Sequence, residues 1–155
     1  MQANDFLPFR FQLRVYWEDT DAGGVVFYAN YLKFFERART EWLRSLGHPQ
    51  EQMRAETGTV FVVTDTTVRY ARPARLEDLI AGTVDVKPAG RAQMTIAQQA
   101  WRVPAHGEGH GETSTLLAEG TIRIGCVDAG TFKPQRIPTS IAESFLSTTQ
   151  QNRTG

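Results

Sequence analysis

The chain opens on strict alternation. Phe9, Phe11, Leu13, Val15 and Trp17 fall between Arg10, Gln12, Arg14 and Tyr16. A period of two is the pattern of a strand with one buried face, so a first strand is predicted to run as far as Trp17. The period then changes. Tyr31, Phe34, Phe35, Ala38, Trp42, Leu43 and Leu46 recur at steps of three and four. That spacing draws one broad apolar face along a helix over about Ala29–Leu46. Lys33, Glu36, Arg37, Arg39, Glu41 and Arg44 fall largely on its other faces, and Gly47 with Pro49 supplies a stop. No later stretch has this length or pattern, so the helix is expected to be the central element around which a sheet wraps.

The rest of the chain reads as strands. Val60–Tyr70 and Leu79–Lys87 are rich in valine, threonine and isoleucine. Arg91–Val103 and Thr115–Val127 are long enough to form a hairpin across the polar, glycine-rich Pro104–Glu112 turn. Ser140 and Glu143 have capping-box spacing and predict a short closing helix from about Ser140. One strand, one long helix and then several antiparallel strands make an α+β chain.

Composition narrows the function classes. At 155 residues, with 41% hydrophobic and 22% charged, the chain fits one domain with a buried core. A formal net charge of zero argues against a protein built to hold nucleic acid, which would carry a basic excess. The single cysteine, Cys126, excludes an intrachain disulfide and is expected to be a buried thiol beside Ile122 and Ile124. The first residues show no signal-peptide pattern, and no apolar run is long enough to span a membrane. A cytoplasmic protein is the expectation.

Chemistry concentrates between the first strand and the helix, in Glu18-Asp19-Thr20-Asp21-Ala22-Gly23-Gly24-Val25-Val26-Phe27-Tyr28-Ala29-Asn30-Tyr31. A carboxylate can act as base or nucleophile. A helix start presents backbone N–H groups that lack intrahelical partners and can hold a developing oxyanion. On residue type alone, Glu18, Asp19 and Asp21 read equally well as a solvated loop that caps the helix.

This stretch, with the following Leu32-Lys33-Phe34-Phe35-Glu36-Arg37-Ala38-Arg39-Thr40-Glu41-Trp42-Leu43, resembles the opening of the 4-hydroxybenzoyl-CoA thioesterase family of hotdog-fold enzymes. It is similar in particular to the bacterial acyl-CoA thioesterases associated with the Tol-Pal system. The resemblance continues through Tyr70–Asp78, Cys126-Val127-Asp128 and Lys133-Pro134, over about residues 10–146. It implies a hotdog fold, an antiparallel sheet wrapped around one long helix, as a single domain. It also implies hydrolysis of an acyl-CoA to a carboxylic acid and coenzyme A. The family's catalytic aspartate, the second of D-x-D-x-x-G, falls on Asp21. The backbone N–H that polarises the thioester falls on Tyr28, where the Tol-Pal branch commonly has histidine. Glu36, on a helix position that serves some hotdog thioesterases, ranks below Asp21 because the aspartate motif is complete.

Among the arginines, Arg75 and Arg91 are the expected contacts to the coenzyme A phosphates, with Arg69 and Arg72 as further candidates. His106, Glu108, His110 and Glu112 lack any strong zinc spacing, so no metal is expected. Hydrolysis needs no cofactor, because water is the second substrate. The resemblance further implies homodimers whose sheets join, with sites at the interface, and pairing into homotetramers. Two other readings stand beside hydrolysis. One is a hotdog acyl-thioester dehydratase or hydratase, which typically needs a histidine paired with a carboxylate. The other is a non-catalytic protein that binds acyl carrier protein or a Tol-Pal partner.

Overall fold

The stretches read as strands form one five-stranded sheet with the order β1-β3-β4-β5-β2, every neighbouring pair antiparallel. In this computed structural model, which describes residues 8–88, 90–104 and 114–151, the strands are β1 (Phe9–Arg14), β2 (Thr59–Tyr70), β3 (Leu79–Pro88), β4 (Gln93–Val103) and β5 (Thr115–Asp128). The helices are α1 (Asn30–Ser45), α2 (Gln50–Thr57) and α3 (Thr139–Gln151). No described helix is long and apolar enough to cross a membrane.

The apolar face of α1 lands on the sheet as its spacing requires. Tyr31, Phe34, Phe35, Ala38, Trp42 and Leu43 are buried, in one cluster with Ile80, Val84, Ile96, Leu117 and Ile122 from the strands. Burying a phenylalanine of this kind contributes about 2–3 kcal/mol. The helix can come this close because the sheet is locally bare. A Cβ on Gly82 would stand 3.3 Å from the Ala38 Cβ, and one on Gly120 would stand 3.1 Å from Phe35 Cε2. Cys126 is fully buried, as expected, and burial raises its thiol pKa.

Three local expectations change, and one helix appears that the sequence pattern did not announce. β1 ends at Arg14, and Trp17 starts a 3-10 turn, Trp17–Asp19, with its indole 80% exposed. The chain leaves the sheet because the Val15 N–H binds Asp78 O and the Tyr16 N–H binds the Asp19 carboxylate. Arg39, assigned by spacing to a polar face, is only 9% exposed. Its guanidinium donates to Gln98 Oε1 at 2.8 Å, and burial lowers its pKa against the opposing pull of Glu36. The α2 helix was not legible. Its sequence, QEQMRAET, buries only Met53 and so shows no apolar stripe, although Pro49 before it and left-handed Gly58 after it mark its ends. Finally, α3 begins at Thr139, with the Ile141 and Ala142 N–H groups on Pro138 O, which puts Ser140 inside the first turn instead of at the cap. The turn expected at Pro104–Glu112 lies, beyond Pro104 itself, outside the described residues.

Gln98 locks the helix to the sheet. It is 1% exposed, accepts from Arg39, and donates from Nε2 to Phe35 O and to Thr83 O, each at 3.1 Å. Gln98→Met keeps the bulk and removes all of these hydrogen bonds. Leaving the buried Arg39 without its acceptor should cost about 2 kcal/mol. Urea unfolding would read this as a lowered midpoint at unchanged slope, and a loss below about 0.5 kcal/mol would contradict the role given to Gln98.

Candidate active site

The acidic cluster divides into a sealed carboxylate and an open one. Asp19 is 2% exposed. Its Oδ2 accepts the Tyr16 N–H and its Oδ1 accepts the Asn30 side-chain amide, both at 2.8 Å. Asp21 lies on the surface at the head of a tight turn. Its N–H donates to Val25 O, and its own C=O accepts the Gly24 N–H at 3.0 Å. Gly24 takes φ +80°, a conformation that suits glycine. One carboxylate oxygen of Asp21, Oδ1, accepts the Gly23 N–H at 2.8 Å. The other, Oδ2, makes no hydrogen bond among the described residues. A Cβ on Gly23 would come within 3.1 Å of Oδ1, so glycine there keeps the carboxylate uncrowded. Glu18 is exposed.

Past the turn the chain is strapped down and runs into α1. The Val26 N–H binds Ala74 O at 2.8 Å, and Val25 bridges Arg75. The Phe27 N–H returns to Asp19 O at 2.9 Å, and the Asn30 N–H binds Phe27 O at 2.8 Å. The N–H groups of Tyr28 and Ala29 donate to nothing among the described residues. They stand at the start of a helix, whose dipole favours negative charge there.

Beside this helix start lies an apolar cleft of about 250 Å³, lined by Val26, Tyr28, Tyr31, Tyr70, Ala71, Arg72 and Pro73. Tyrosines build its wall. The Tyr70 hydroxyl donates to Tyr28 O at 2.8 Å, and the Ala74 N–H donates to the Tyr31 hydroxyl at 3.1 Å. The Tyr70 ring meets those of Tyr28 and Tyr31 edge-on, with centroids 6.3 and 5.4 Å away. Burial raises the pKa of Tyr31 and of Tyr70, with neighbouring Tyr28 adding to the rise at Tyr70. Both therefore act here as neutral hydrogen-bonding groups. A larger groove, about 410 Å³, lies on the sheet face away from α1 among Arg69, Asp85, Gln99 and Glu119. It holds no residue of the opening motif.

The structure gathers some of the expected residues and separates others. Asp21, Tyr28 and Arg75 share one end of the molecule, Arg75 through its bridge to Val25. Asp21 does not itself line the tyrosine cleft of its own chain. Arg72 stands on the cleft's rim, and Arg69 lies on the opposite face of the sheet. Glu36 is exposed on α1 and accepts the Thr40 hydroxyl. Arg91 is at the far end. It sits past the last residue of β3, where its C=O accepts the Ile137 N–H beside α3, whereas Arg75 precedes β3. Ten residues of strand separate those ends, roughly 30 Å at about 3.3 Å per residue. Among the described residues no three metal-binding side chains cluster; His106, Glu108, His110 and Glu112 lie outside them.

Sequence reasoning placed Asn30 and Tyr31 in the opening motif but gave them, and Tyr70, no role of their own at this end of the molecule. Asn30 carried a readable signal, as a polar residue one turn ahead of a wide apolar face. The tyrosines read only as core or strand residues.

Comparison with known proteins agrees with this fold. Residues 15–145 match the family described as the thioesterase-like superfamily. The chain is 38% identical over 137 residues to the acyl-CoA thioesterase YbgC of Haemophilus influenzae, spanning 88% of this chain and 93% of that one. It is 39% identical over 137 residues to the acyl-CoA thioester hydrolase YbgC of Escherichia coli O6:H1, spanning 88% and 95%. In fold it superposes on 4-hydroxybenzoyl CoA thioesterase, solved with 4-hydroxybenzoyl CoA, with a TM-score of 0.76 at 18% identity, covering 87% of this chain and 96% of that one. An antiparallel sheet wrapped on one long helix, a carboxylate turn at that helix's start and these relatives lead to one conclusion: the chain belongs to the thioesterase-like superfamily and has the hotdog fold.

Proposed function

We propose that this protein hydrolyses acyl-CoA thioesters, with Asp21 as the reacting carboxylate and the Tyr28 N–H as the oxyanion donor. The observation that carries the assignment is the division of labour between the two aspartates. Buried Asp19 spends both oxygens on protein donors, whereas Asp21 keeps Oδ2 free of any donor among the described residues on an exposed turn. The acyl-CoA thioesterase relatives support the reaction class.

In the reaction so read, the thioester carbonyl oxygen points at the Tyr28 N–H. Asp21 either takes a proton from water, so that hydroxide adds to the carbonyl carbon, or adds to that carbon itself. Negative charge then collects on the carbonyl oxygen, where an unpaired N–H and the helix dipole stabilise it. The C–S bond breaks and coenzyme A leaves as a thiolate. Along the water route the proton held by Asp21 passes to that thiolate. Along the direct route water then opens the resulting anhydride. Neither route requires a metal or a redox cofactor. The acyl group lies in the tyrosine cleft, and Arg75 holds a phosphate of coenzyme A.

A second copy of the chain completes this site. Asp21 and the Tyr28 N–H of one chain act on the thioester together, but Asp21 does not line that chain's cleft, and Phe27, Tyr28 and Leu32 leave apolar surface exposed near the helix start. Among the described residues β2 is also an unpaired sheet edge, 12 residues long, with Val63 50% exposed. Such an edge and such a rim are covered when two sheets join. We read the assembly as a homodimer, paired further into a homotetramer as the family resemblance implies. Arg91 reaches a coenzyme A only from another protomer. Acyl carrier protein is a further candidate donor of the same thioester. The cytoplasm is the compartment proposed, consistent with one buried, unpaired cysteine.

Thiol release from acyl-CoA, followed with a disulfide dye, tests the assignment and separates a hydrolase from a dehydratase or a binding protein. Asp21→Asn should fold normally and lose about 10²–10⁴-fold in kcat. Near-normal turnover would remove Asp21 from the chemistry. Tyr28→Phe should keep most activity, since the donor is backbone; a loss as large as that of Asp21→Asn would instead place the phenol in the reaction. Arg75→Ala should raise KM several-fold at little cost to kcat, as for binding shared by ground and transition states. The effect should vanish on a pantetheine thioester, which lacks the nucleotide phosphates. An equal loss on both esters would return Arg75 to a surface charge.

A further inference from the structure

Both groups given a chemical role, the Asp21 carboxylate and the Tyr28 N–H, lie inside a segment whose two ends are tied to each other. The ends are Asp19 and Asn30. Asp19 O accepts the Phe27 N–H, Phe27 O accepts the Asn30 N–H, and Asp19 Oδ1 accepts the Asn30 side-chain amide at 2.8 Å. Asp19 Oδ2 then ties this neck to the end of the first strand through the Tyr16 N–H. Asp19 and Asn30 are 2% and 6% exposed. Among the described residues, Asp19 is the one buried carboxylate.

A carboxylate without a nearby cation is an expensive thing to bury. The arrangement is explained by what the position demands. It must accept from two donors at once, a main-chain N–H on one side and an amide NH2 on the other. An ionised carboxylate only accepts, so it does both, and it also sets which way the Asn30 amide turns. A neutral amide at position 19 would turn its own NH2 toward position 30, and would pair there only if the Asn30 amide turned over to present its oxygen.

We propose that Asp19 and Asn30 form a clasp that positions the catalytic segment: it holds the Asp21 turn at a fixed offset from the start of α1, and so sets the attacking carboxylate against the oxyanion donor. The clasp touches no substrate. It rests on the reading of Asp21 and Tyr28 given above. Its effect is on alignment, and misplacement of reacting groups by about 1 Å can cost about 10²-fold in rate. Loosening the clasp therefore lowers kcat and leaves KM, which reflects the coenzyme A and acyl contacts, nearly unchanged.

An exchange of partners tests this. The proteins are wild type, Asp19→Asn, Asn30→Asp and the double variant, each checked for native circular dichroism and for its assembly state. Asn30→Asp opposes two carboxylates and opens the clasp where the pH is high enough that the pair does not share a proton, so it is assayed into the alkaline range as well. In the double variant the roles are exchanged: the amide at position 19 keeps its oxygen for the Tyr16 N–H and gives its NH2 to the carboxylate at position 30. Asn30→Asp should lower kcat by about 10²-fold with KM within about threefold, and the double variant should recover at least about tenfold of that loss. If Asn30→Asp does not fold, Asn30→Ala replaces it as the open form. A folded open form with wild-type kcat overturns the proposal, and so does a folded double variant that recovers nothing. Equal losses in kcat and in substrate affinity would also overturn it, by showing a general weakening. Asp21→Asn, run alongside, keeps the two ideas apart. If it stays active, the choice of catalytic carboxylate fails whatever the clasp does. If it is dead while the exchange series is flat, the clasp alone fails.

Discussion

The line along which α1 meets the sheet governs everything else in this molecule. A helix start can serve as an oxyanion donor only if its place is fixed, and here a side chain in the middle of the sheet fixes it. Gln98 reaches across to Phe35 O and to Arg39, while Gly82 and Gly120 clear the space that Ala38 and Phe35 occupy. Apolar burial supplies most of the attraction, but it is non-directional and would tolerate sliding. Buried hydrogen bonds are directional, and leaving them unmade is costly, so they select one register.

From that fixed helix the site follows by short-range constraints. Asn30 is the first residue of α1 and holds Asp19; Asp19 holds the end of the first strand; the turn between them carries Asp21. On the other side, Tyr70 reaches from β2 to the carbonyl of Tyr28, and Ala74 holds both Val26 and the Tyr31 hydroxyl. Three separate stretches of sequence thus converge on the first turn of one helix. The result is an exposed carboxylate, N–H groups of Tyr28 and Ala29 that donate to nothing among the described residues, and an apolar cleft at one end of the chain, with β2 at the edge of the described sheet.

The sequence made the skeleton readable because the skeleton is built from repetition. Strand alternation and the three-four spacing of α1 are averages over many residues, and a single exception does not blur them. Arg39 was such an exception. It sits among charged positions in sequence but is drawn under the helix by Gln98, a partner 59 residues away. Trp17 failed for the opposite reason: its place in the alternation was right, but Asp19 had already turned the chain out of the sheet. α2 has no apolar stripe, so only its end signals remained. The opening motif was legible as chemistry, and the resemblance singled out Asp21 from its neighbours. The contrast between them, one aspartate buried with both oxygens taken by protein donors and the other exposed, needed coordinates. So did the separation of Arg75 from Arg91, since residues equally plausible as phosphate contacts lie at opposite ends of β3.

The central claim is that the thioester is broken at the start of α1, between Asp21 and the Tyr28 N–H. The most direct test is a crystal structure of the Asp21→Asn protein soaked with an intact acyl-CoA. The account predicts a thioester carbonyl oxygen about 3 Å from the Tyr28 nitrogen, with the carbonyl carbon within about 3.5 Å of the side chain at position 21. The acyl group should fill the tyrosine cleft. An acyl-CoA seated elsewhere, for instance in the polar groove between Arg69 and Glu119 with nothing at the helix start, would contradict it.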